Sequence, residues 1–505
     1  MEWKKRFAAT TITSYVHMGL RMVTGLLIFR TMFGAWSPEE FGFWAFLWSV
    51  LAFGILLDFG LGMTIQKTVA SRAANDDIDG INRVLSTVFW TFAGIGGIIL
   101  VLSILCKPVI FQAITVPPDL TDRVTPAYYY FFISIALSFP LGIYGEVLAG
   151  IQRVDVFNII QILSTTANTV CVLTLLYMDA GVESVMMAAC AVLLIANFAS
   201  AVCAHCFTPG LNIHPRFFNF SEVGNRIRFS ITAYLVVFSG IVLTKTDQAV
   251  IAGVLGLGSV TLYQAAAKVS EILNMLATQS ENLISPAAAN LHARGNRKGL
   301  IDLLLKNSRF LFTITTPCYV LAAFFLKDLI CLLTGEETMP EGAFLTGQLL
   351  LGAIYIGTIT SSCGRRVMVM CGMEDLLLKF SLTQAGVNLV LSVILARLWG
   401  VPGVAAATLI SSTIFGFGVF LPTLKRFSEI SAVEYIGYHL RGNLVGLLVM
   451  GAVLAAVLLI TPAHTHSLGF IDLMWRGAVV ALSYLACNFR QIRSTWASEP
   501  HAESA

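Results

Sequence analysis

The chain has 505 residues, of which 56% are hydrophobic and only 12% charged, and its mean hydropathy is +0.78. A soluble domain typically carries about 25% charged residues, so this composition excludes an ordinary soluble protein and points to a chain solvated by lipid. The net charge of +3 gives no reason to expect a nucleic-acid partner, and the ten cysteines, mostly set in apolar runs such as those around Cys171, Cys190 and Cys318, exclude a secreted disulfide framework.

The segment Met-Glu-Trp-Lys-Lys-Arg at 1–6 has the positive region of a signal peptide, but no small-residue cleavage site succeeds it, so a retained first membrane helix is expected. A helix needs about 20 apolar residues to cross the hydrocarbon core. In chain order the predicted spans are 8–33, 41–66, 84–110, 125–149, 156–177, 184–206, 227–250, 258–284, 302–333, 343–371, 376–398, 402–424, 438–461 and 469–489. The longer ones predict tilt or extension beyond the bilayer. The fold class is therefore all-α, a polytopic membrane protein of about 14 transmembrane helices whose connections are too short for a soluble domain.

Orientation is read from Lys and Arg in the connections. With a cytoplasmic N-terminus, seventeen fall inside, among them Lys4, Lys5, Arg6, Arg153, Arg226, Arg297, Lys425 and Arg426, against four outside: Lys107, Arg123, Lys327 and Arg397. Acids sit in the outside connections: Glu39 and Glu40, Asp179 and Glu183, Glu336 and Glu337. The distribution predicts both termini inside; Arg476, in the outer part of the last helix, fits it less well.

Three pairs of short words share an offset of 219 residues: Phe43-Trp44-Ala45 with Leu262-Tyr263-Gln264, Asp79-Gly80-Ile81 with Lys298-Gly299-Leu300, and Gly181-Val182 with Gly400-Val401. Each pair precedes or opens a predicted span, so the offset predicts a duplicated six-helix unit. The expected organisation is two parallel six-helix lobes, 1–215 and 216–427, then two C-terminal helices and a tail, 428–505. Lobes of this kind place a substrate cavity between them.

Several stretches carry a family resemblance. "SPEEFGFWAFLWSVLAFGILLDFGLG" at 37–62 resembles the helix 1–2 region of polysaccharide flippases, with Pro38, Glu39 and Gly42, then Leu57, Asp58, Gly60 and Leu61. "TDQAVIAGVLGLGSVTLYQAAAKV" at 246–269 resembles their helix 7–8 connection, with Asp247, Gly253 and Tyr263, and "GVPGVAAATLIS" at 400–411 resembles the start of their helix 12. These motifs, with the fourteen-helix count, resemble the multidrug, oligosaccharidyl-lipid and polysaccharide exporter superfamily, and within it the O-antigen and exopolysaccharide flippases that serve lipopolysaccharide and polysaccharide biosynthesis. The resemblance implies a bacterial inner-membrane protein. It implies movement of an undecaprenyl-pyrophosphate-linked oligosaccharide from the cytoplasmic to the periplasmic leaflet by alternating access.

Ionisable residues inside spans are costly and mark cavities or internal pairs. Arg21 lies near the middle of the first span, with His17 four residues earlier on the same face. Lys268 lies about ten residues into the eighth span, roughly 15 Å deep at 1.5 Å per residue. Each predicted lobe thus contributes one cation at similar depth. Arg offers a bidentate fork and Lys a point charge, so Arg21, His17 and Lys268 are the candidate binding residues for a pyrophosphate or an acidic sugar. The competing reading is internal neutralisation, of Lys268 by Glu271 three residues on, and of Arg21 by Asp58. Asp58 and Asp247, with Glu271 and Arg365, are the candidate coupling or gating residues. Lys245 and Asp247, near the outside end of the seventh span, are expected to snorkel to the interface.

Weaker signals carry little. Cys203-Ala204-His205-Cys206 has ligand-type residues but no second cluster to complete a metal site. Gly253, Gly256 and Gly258 lack the strand a dinucleotide loop needs. Gly442 and Gly446 form a pair that permits close helix packing. Expected partners are the lipid-linked oligosaccharide and membrane lipids, with a polysaccharide polymerase and a chain-length regulator as further candidates. No cofactor is implied, and coupling to a proton or to sodium is left open. The alternative function is an ion-coupled multidrug exporter of the same superfamily; such exporters commonly have twelve helices and a more acidic cavity. An enzyme is not expected, because no outside loop is long enough to carry paired carboxylates, a nucleophile set or a metal cluster.

Overall fold

The computed structural model describes residues 2–54, 61–73, 75, 77–219, 245–282, 284, 288, 291–292, 294–335, 342–460 and 469–497. Contacts divide the chain into two compact units, Met1–Thr261 and Leu262–Ala505. Among the described residues there is no strand. That is what a lipid solvent requires, because a helix satisfies every backbone N–H and C=O within its own segment.

In the first unit the helices are α1 (Glu2–Ala35), α2 (Pro38–Gly54), α3 (Leu61–Ala73), α4 (Ile78–Ala113), α5 (Pro118–Gly150), α6 (Val154–Tyr177), α7 (Val182–Phe207) and α8 (245–255). The next, α9 (Leu257–Asn282), crosses the boundary between the units. The second unit continues with α10 (Arg297–Phe324), α11 (Leu326–Thr334), α12 (Ala343–Gly357), α13 (Cys363–Met370), α14 (Glu374–Trp399), α15 (Val401–Thr413), α16 (Leu421–Ser428), α17 (Ala432–Ile460) and α18 (Phe470–Ala497). Most of the predicted spans fall on described helix, and two are described only in part. Of 227–250 only 245–250 is described, and of 41–66 the stretch 55–60, with Asp58, lies outside the described residues. Among the described residues nine helices are long and apolar enough to cross a membrane, or ten if a bent pair is one span.

That bent pair corrects the span 302–333. The chain turns by 76° between α10 and α11, at Phe325, which is buried. Lys327 and Asp328 come at once after it, and α11 buries only the face of Leu326, Ile330, Cys331 and Thr334. Its other face carries the charges that an uninterrupted span would drag through lipid. Two further spans, 343–371 and 402–424, are also irregular: the helix widens to π geometry at Thr358–Ser362 and Ile414–Phe420. The two π segments touch, and a Cβ on Gly416 would come within 2.6 Å of the Thr360 hydroxyl.

Two pairs of helix starts share the offset of 219 residues. Asp77 Oδ1 accepts from Gly80 N at 2.8 Å to cap α4, and Asn296 Oδ1 accepts from Gly299 N at 2.9 Å to cap α10. Gly181 caps α7 and Gly400 caps α15. Both pairs keep the 219-residue offset. Side-chain caps of this kind are worth about 1 kcal/mol each and fix where the helical register starts.

Buried apolar residues gather around Ile65, Ile81, Leu85, Val147 and Leu148 in the first unit, and around Leu304, Val367, Met368 and Leu421 in the second. A further cluster (Phe325, Met450, Leu454, Val480, Tyr484) joins α10 to α17 and α18. Opposite faces are apolar yet exposed, as at Leu102, Leu105 and Val109 on α4 and Leu444, Val445 and Leu448 on α17. In a lipid-solvated chain these are the faces the acyl chains cover. Gly442 and Gly446 do permit close packing: a Cβ at the first would meet Arg309, and at the second the Asn488 amide.

Candidate functional site

The first unit holds a cavity of about 400 Å³ between α1, α2, α6 and α7. Asn158 sets its frame. The Asn158 amide on α6 donates to Ser14 Oγ at 2.8 Å and Thr13 Oγ1 at 3.1 Å on α1, bonds that hold the two helices together where no water competes. One turn and more along, α1 presents His17, Arg21 and Thr24 to the cavity. From α6 come Gln161, Ser164, Thr165, Asn168 and Thr169, spaced i, i+3, i+4, i+7 and i+8, so that a single stripe of amides and hydroxyls faces inward.

Trp48 of α2 closes one side. Its ring stands 5.6 Å from Trp44 and 5.8 Å from Phe131, which fixes its orientation. Its indole N–H is buried without a hydrogen-bond acceptor among the described residues, a donor that is costly to leave unmet. The Arg21 guanidinium likewise makes no hydrogen bond or ion pair among the described residues. Asp58, its predicted alternative partner, lies outside them. Among the described residues no carboxylate lines the cavity. Among the described residues the arrangement therefore offers a cation without a neutralising partner, a row of uncharged donors and acceptors and an aromatic edge. That chemistry suits an anion attached to a polyhydroxyl group.

The motif around Pro38 has a structural purpose next to this cavity. Ser37 N donates to Glu40 Oε2 at 3.1 Å and Glu40 N to Ser37 Oγ at 3.2 Å, a reciprocal cap that starts α2. A Cβ on Gly42 would overlap the Leu257 carbonyl, so only glycine admits this approach of α2 to the start of α9. Thr261 completes the junction by donating to the Pro38 carbonyl. The two quoted motifs, 37–62 and 246–269, thus meet at the start of α2.

The remaining predicted residues are placed separately. Lys268 Nζ lies 3.4 Å from Glu271 Oε2, the neutralising pair that spacing alone permits. Arg21 and Lys268 belong to different units, and each is described within its own. Asp247 does not snorkel: it is 2% exposed, beside Gln248 in α8. Arg365 Nη2 donates to Ser361 Oγ at 2.9 Å, which ties α13 to the preceding π segment. Among the described residues no three His, Cys, Asp or Glu side chains converge as metal ligands.

Sequence reading missed the α6 stripe, although its helical spacing is plain in Gln161–Thr169. It also missed Arg309, about 18 Å into α10 at 1.5 Å per residue. Arg309 stacks at 4.8 Å over the Tyr438 ring, close to a second cavity of about 320 Å³ in the second unit. That cavity is lined mainly by apolar and aromatic side chains, with Thr316, Tyr355, Thr360 and His439 among them.

A family model described as polysaccharide biosynthesis protein matches residues 5–339. No curated protein sequence matches the chain. Among solved structures, lipid II flippase MurJ in an inward closed conformation aligns with TM-score 0.72 at 16% identity, covering 96% of this chain and 99% of that one. An inward-facing multidrug resistance MATE family transporter of the MOP superfamily aligns with TM-score 0.68 at 14% identity, covering 83% and 98%. A MOP superfamily transporter from Pyrococcus furiosus, for which a reversed polarity of the binding pocket is described, aligns with TM-score 0.61 at 15% identity, covering 84% and 96%. The all-helical architecture and the family match agree: the chain belongs to the polysaccharide biosynthesis protein family, as a multi-pass membrane protein with the MOP-superfamily transporter fold.

Proposed function

We propose that the protein is a flippase that carries an undecaprenyl-pyrophosphate-linked oligosaccharide from the inner to the outer leaflet of a bacterial inner membrane by alternating access, for cell-surface polysaccharide export. The observation that carries this reading is the cavity of the first unit: a free Arg21 beside His17, a polar stripe on α6, and no carboxylate among the described residues. An arginine fork holds phosphate oxygens bidentately, and the amides and hydroxyls of Gln161, Ser164 and Asn168 match sugar hydroxyls. A cavity for cationic drugs calls for the opposite charge, so the multidrug-exporter reading is the weaker one. In this reading both termini are cytoplasmic, the protein transports and does not catalyse, and Lys268 serves as a second cation. Asp58 and Asp247 are the proposed coupling residues for a proton or sodium.

The test is a leaflet assay with purified protein in liposomes and a fluorescent undecaprenyl-pyrophosphate sugar, monitored by its accessibility to an external enzyme. Protein-dependent flipping that Arg21→Ala removes is the expected result. Flipping that survives the substitution in a correctly inserted protein removes the cationic site from the mechanism. Absence of flipping, with ethidium efflux driven by an ion gradient, moves the protein to the drug exporters.

A further inference from the structure

The second unit carries a larger cavity, about 540 Å³, that the transport reading leaves unused. It lies where three chain segments end together. These are the turn into α10 (Gly295, Asn296, Arg297), the turn into α14 (Cys371, Met373) and the last turns of α16 (Thr423, Arg426). All three ends fall on the side that the Lys and Arg distribution assigns to the cytoplasm.

The cavity is two-sided in its chemistry. One wall is apolar, with Leu300, Met373, Leu376 and Phe380. Its rim is basic, with His292, Arg297 and Arg426. Arg297 Nη2 is held 3.1 Å from Glu429 Oε1. The side chains of His292 and Arg426 make no hydrogen bond or ion pair among the described residues. Exposed Arg294, Lys298 and Lys425 add positive charge nearby, while among the described side chains Glu429 is engaged by Arg297, Asp302 by Lys306, and Asp375 stands apart from the lining. The positive end of the α10 dipole adds to the same potential. A free phosphate has no use for the apolar wall, and an uncharged chain has no use for the cations. An amphiphile with an anionic headgroup uses both, and the inner leaflet presents such lipids at high local concentration.

We propose that this cavity binds one anionic phospholipid of the cytoplasmic leaflet, with its phosphate between Arg426, His292 and the start of α10 and its chains along Leu376 and Phe380. The site is separate from the Arg21 cavity and does not depend on what is transported. Occupancy ties three helix ends of the second unit to the leaflet.

Native mass spectrometry of the detergent-purified full chain, titrated with phosphatidylglycerol and separately with phosphatidylcholine, reads the site directly. One phosphatidylglycerol held more tightly than phosphatidylcholine is expected. Loss of about five-fold in affinity is expected for each of Arg426→Gln and His292→Gln, the latter measured at a pH where the imidazole is charged. Phe380→Ala is expected to weaken retention without altering the preference for anionic lipid. Lys425→Gln removes an equal charge next to the cavity but not in its lining, and is expected to leave binding unchanged. Equal losses for Lys425→Gln and Arg426→Gln would reduce the effect to general surface charge and overturn the proposal. So would equal retention of the two lipids, or displacement of phosphatidylglycerol by an undecaprenyl-pyrophosphate sugar, which would assign the cavity to the transported lipid.

Discussion

The cavities of the two units are built from similar polar residues put to opposite uses. In the first unit, the stripe on α6 opens into space beside Arg21, which has no ion-pair partner among the described residues. In the second, polar groups close on one another. Asn443 Oδ1 accepts from Thr313 at 3.0 Å and from Tyr484 at 3.1 Å, its amide donates to the His439 carbonyl at 3.0 Å, and Thr316 bonds the Tyr355 hydroxyl at 2.9 Å. The offset of 219 sharpens the contrast. Thr169 on the α6 stripe, at the position 219 residues before Asn388 on α14, is buried and among the described residues bonds only within its own helix, to the Thr165 carbonyl at 2.7 Å, whereas Asn388, 1% exposed, accepts from Ser411 of the neighbouring α15 at 3.2 Å. A polar residue in a membrane helix either waits for a ligand or binds its neighbours, and composition alone does not distinguish the two.

The comparison predicts that substitutions in the first cavity change transport and those in the buried polar network of the second unit change stability. Arg21→Ala is the strongest break, losing about 2–3 kcal/mol of ligand interaction, on the order of 30- to 100-fold in flipping rate, with the melting temperature unmoved. Arg21→Lys should recover part of the loss, because it restores charge but not the fork. Next comes Asn443→Leu, which takes its acceptor from the buried Tyr484 hydroxyl, while Thr313 keeps the Arg309 carbonyl at 2.8 Å, and should lower stability by about 1–2 kcal/mol in a thermal or denaturant titration. Asn168→Leu should slow flipping about five-fold, or about 1 kcal/mol, at unchanged stability. A fall in stability there instead would mean that α6 packs as the second unit does. The smallest effect belongs to Arg123→Gln. It removes an ion pair of 2.8 Å to Glu40, but Arg123 is 62% exposed, so the loss should stay below about 1 kcal/mol in either measurement.

How much of the molecule was legible in its sequence depends on which interactions are local. Spans, helix starts and the duplication rest on apolar run lengths and on caps such as Asp77 with Gly80, which lie within a few residues of one another. His17 and Arg21 were legible as a pair for the same reason, being one turn apart. The neutralisation of Lys268 by Glu271 is also an i,i+3 relation. The illegible part depends on neighbours distant in sequence. Gly42 shows no reason to be glycine until the Leu257 carbonyl is found against it from a remote part of the chain. The bend at Phe325 hides in an apolar run, because Lys327 and Asp328 look like the end of a straight helix. The π segments around Thr360 and Gly416 leave no compositional mark, since widening by one residue per turn serves the contact between them.

The matched caps have a consequence for engineering. Asp77 is a carboxylate-bearing residue 3.9 Å from Arg72, whereas Asn296 is an amide, so caps of different chemistry open two helices at the same offset. The offset is therefore a ruler that works at atomic scale along α4 and α10. Splices at Asp77 and Asn296 that exchange α4 for α10 would keep the shared buried positions inward, Ile81 with Leu300, Leu85 with Leu304 and Phe92 with Leu311. A chimera cut a residue to either side would rotate the grafted helix by about 100° and turn its lipid-facing side toward the core.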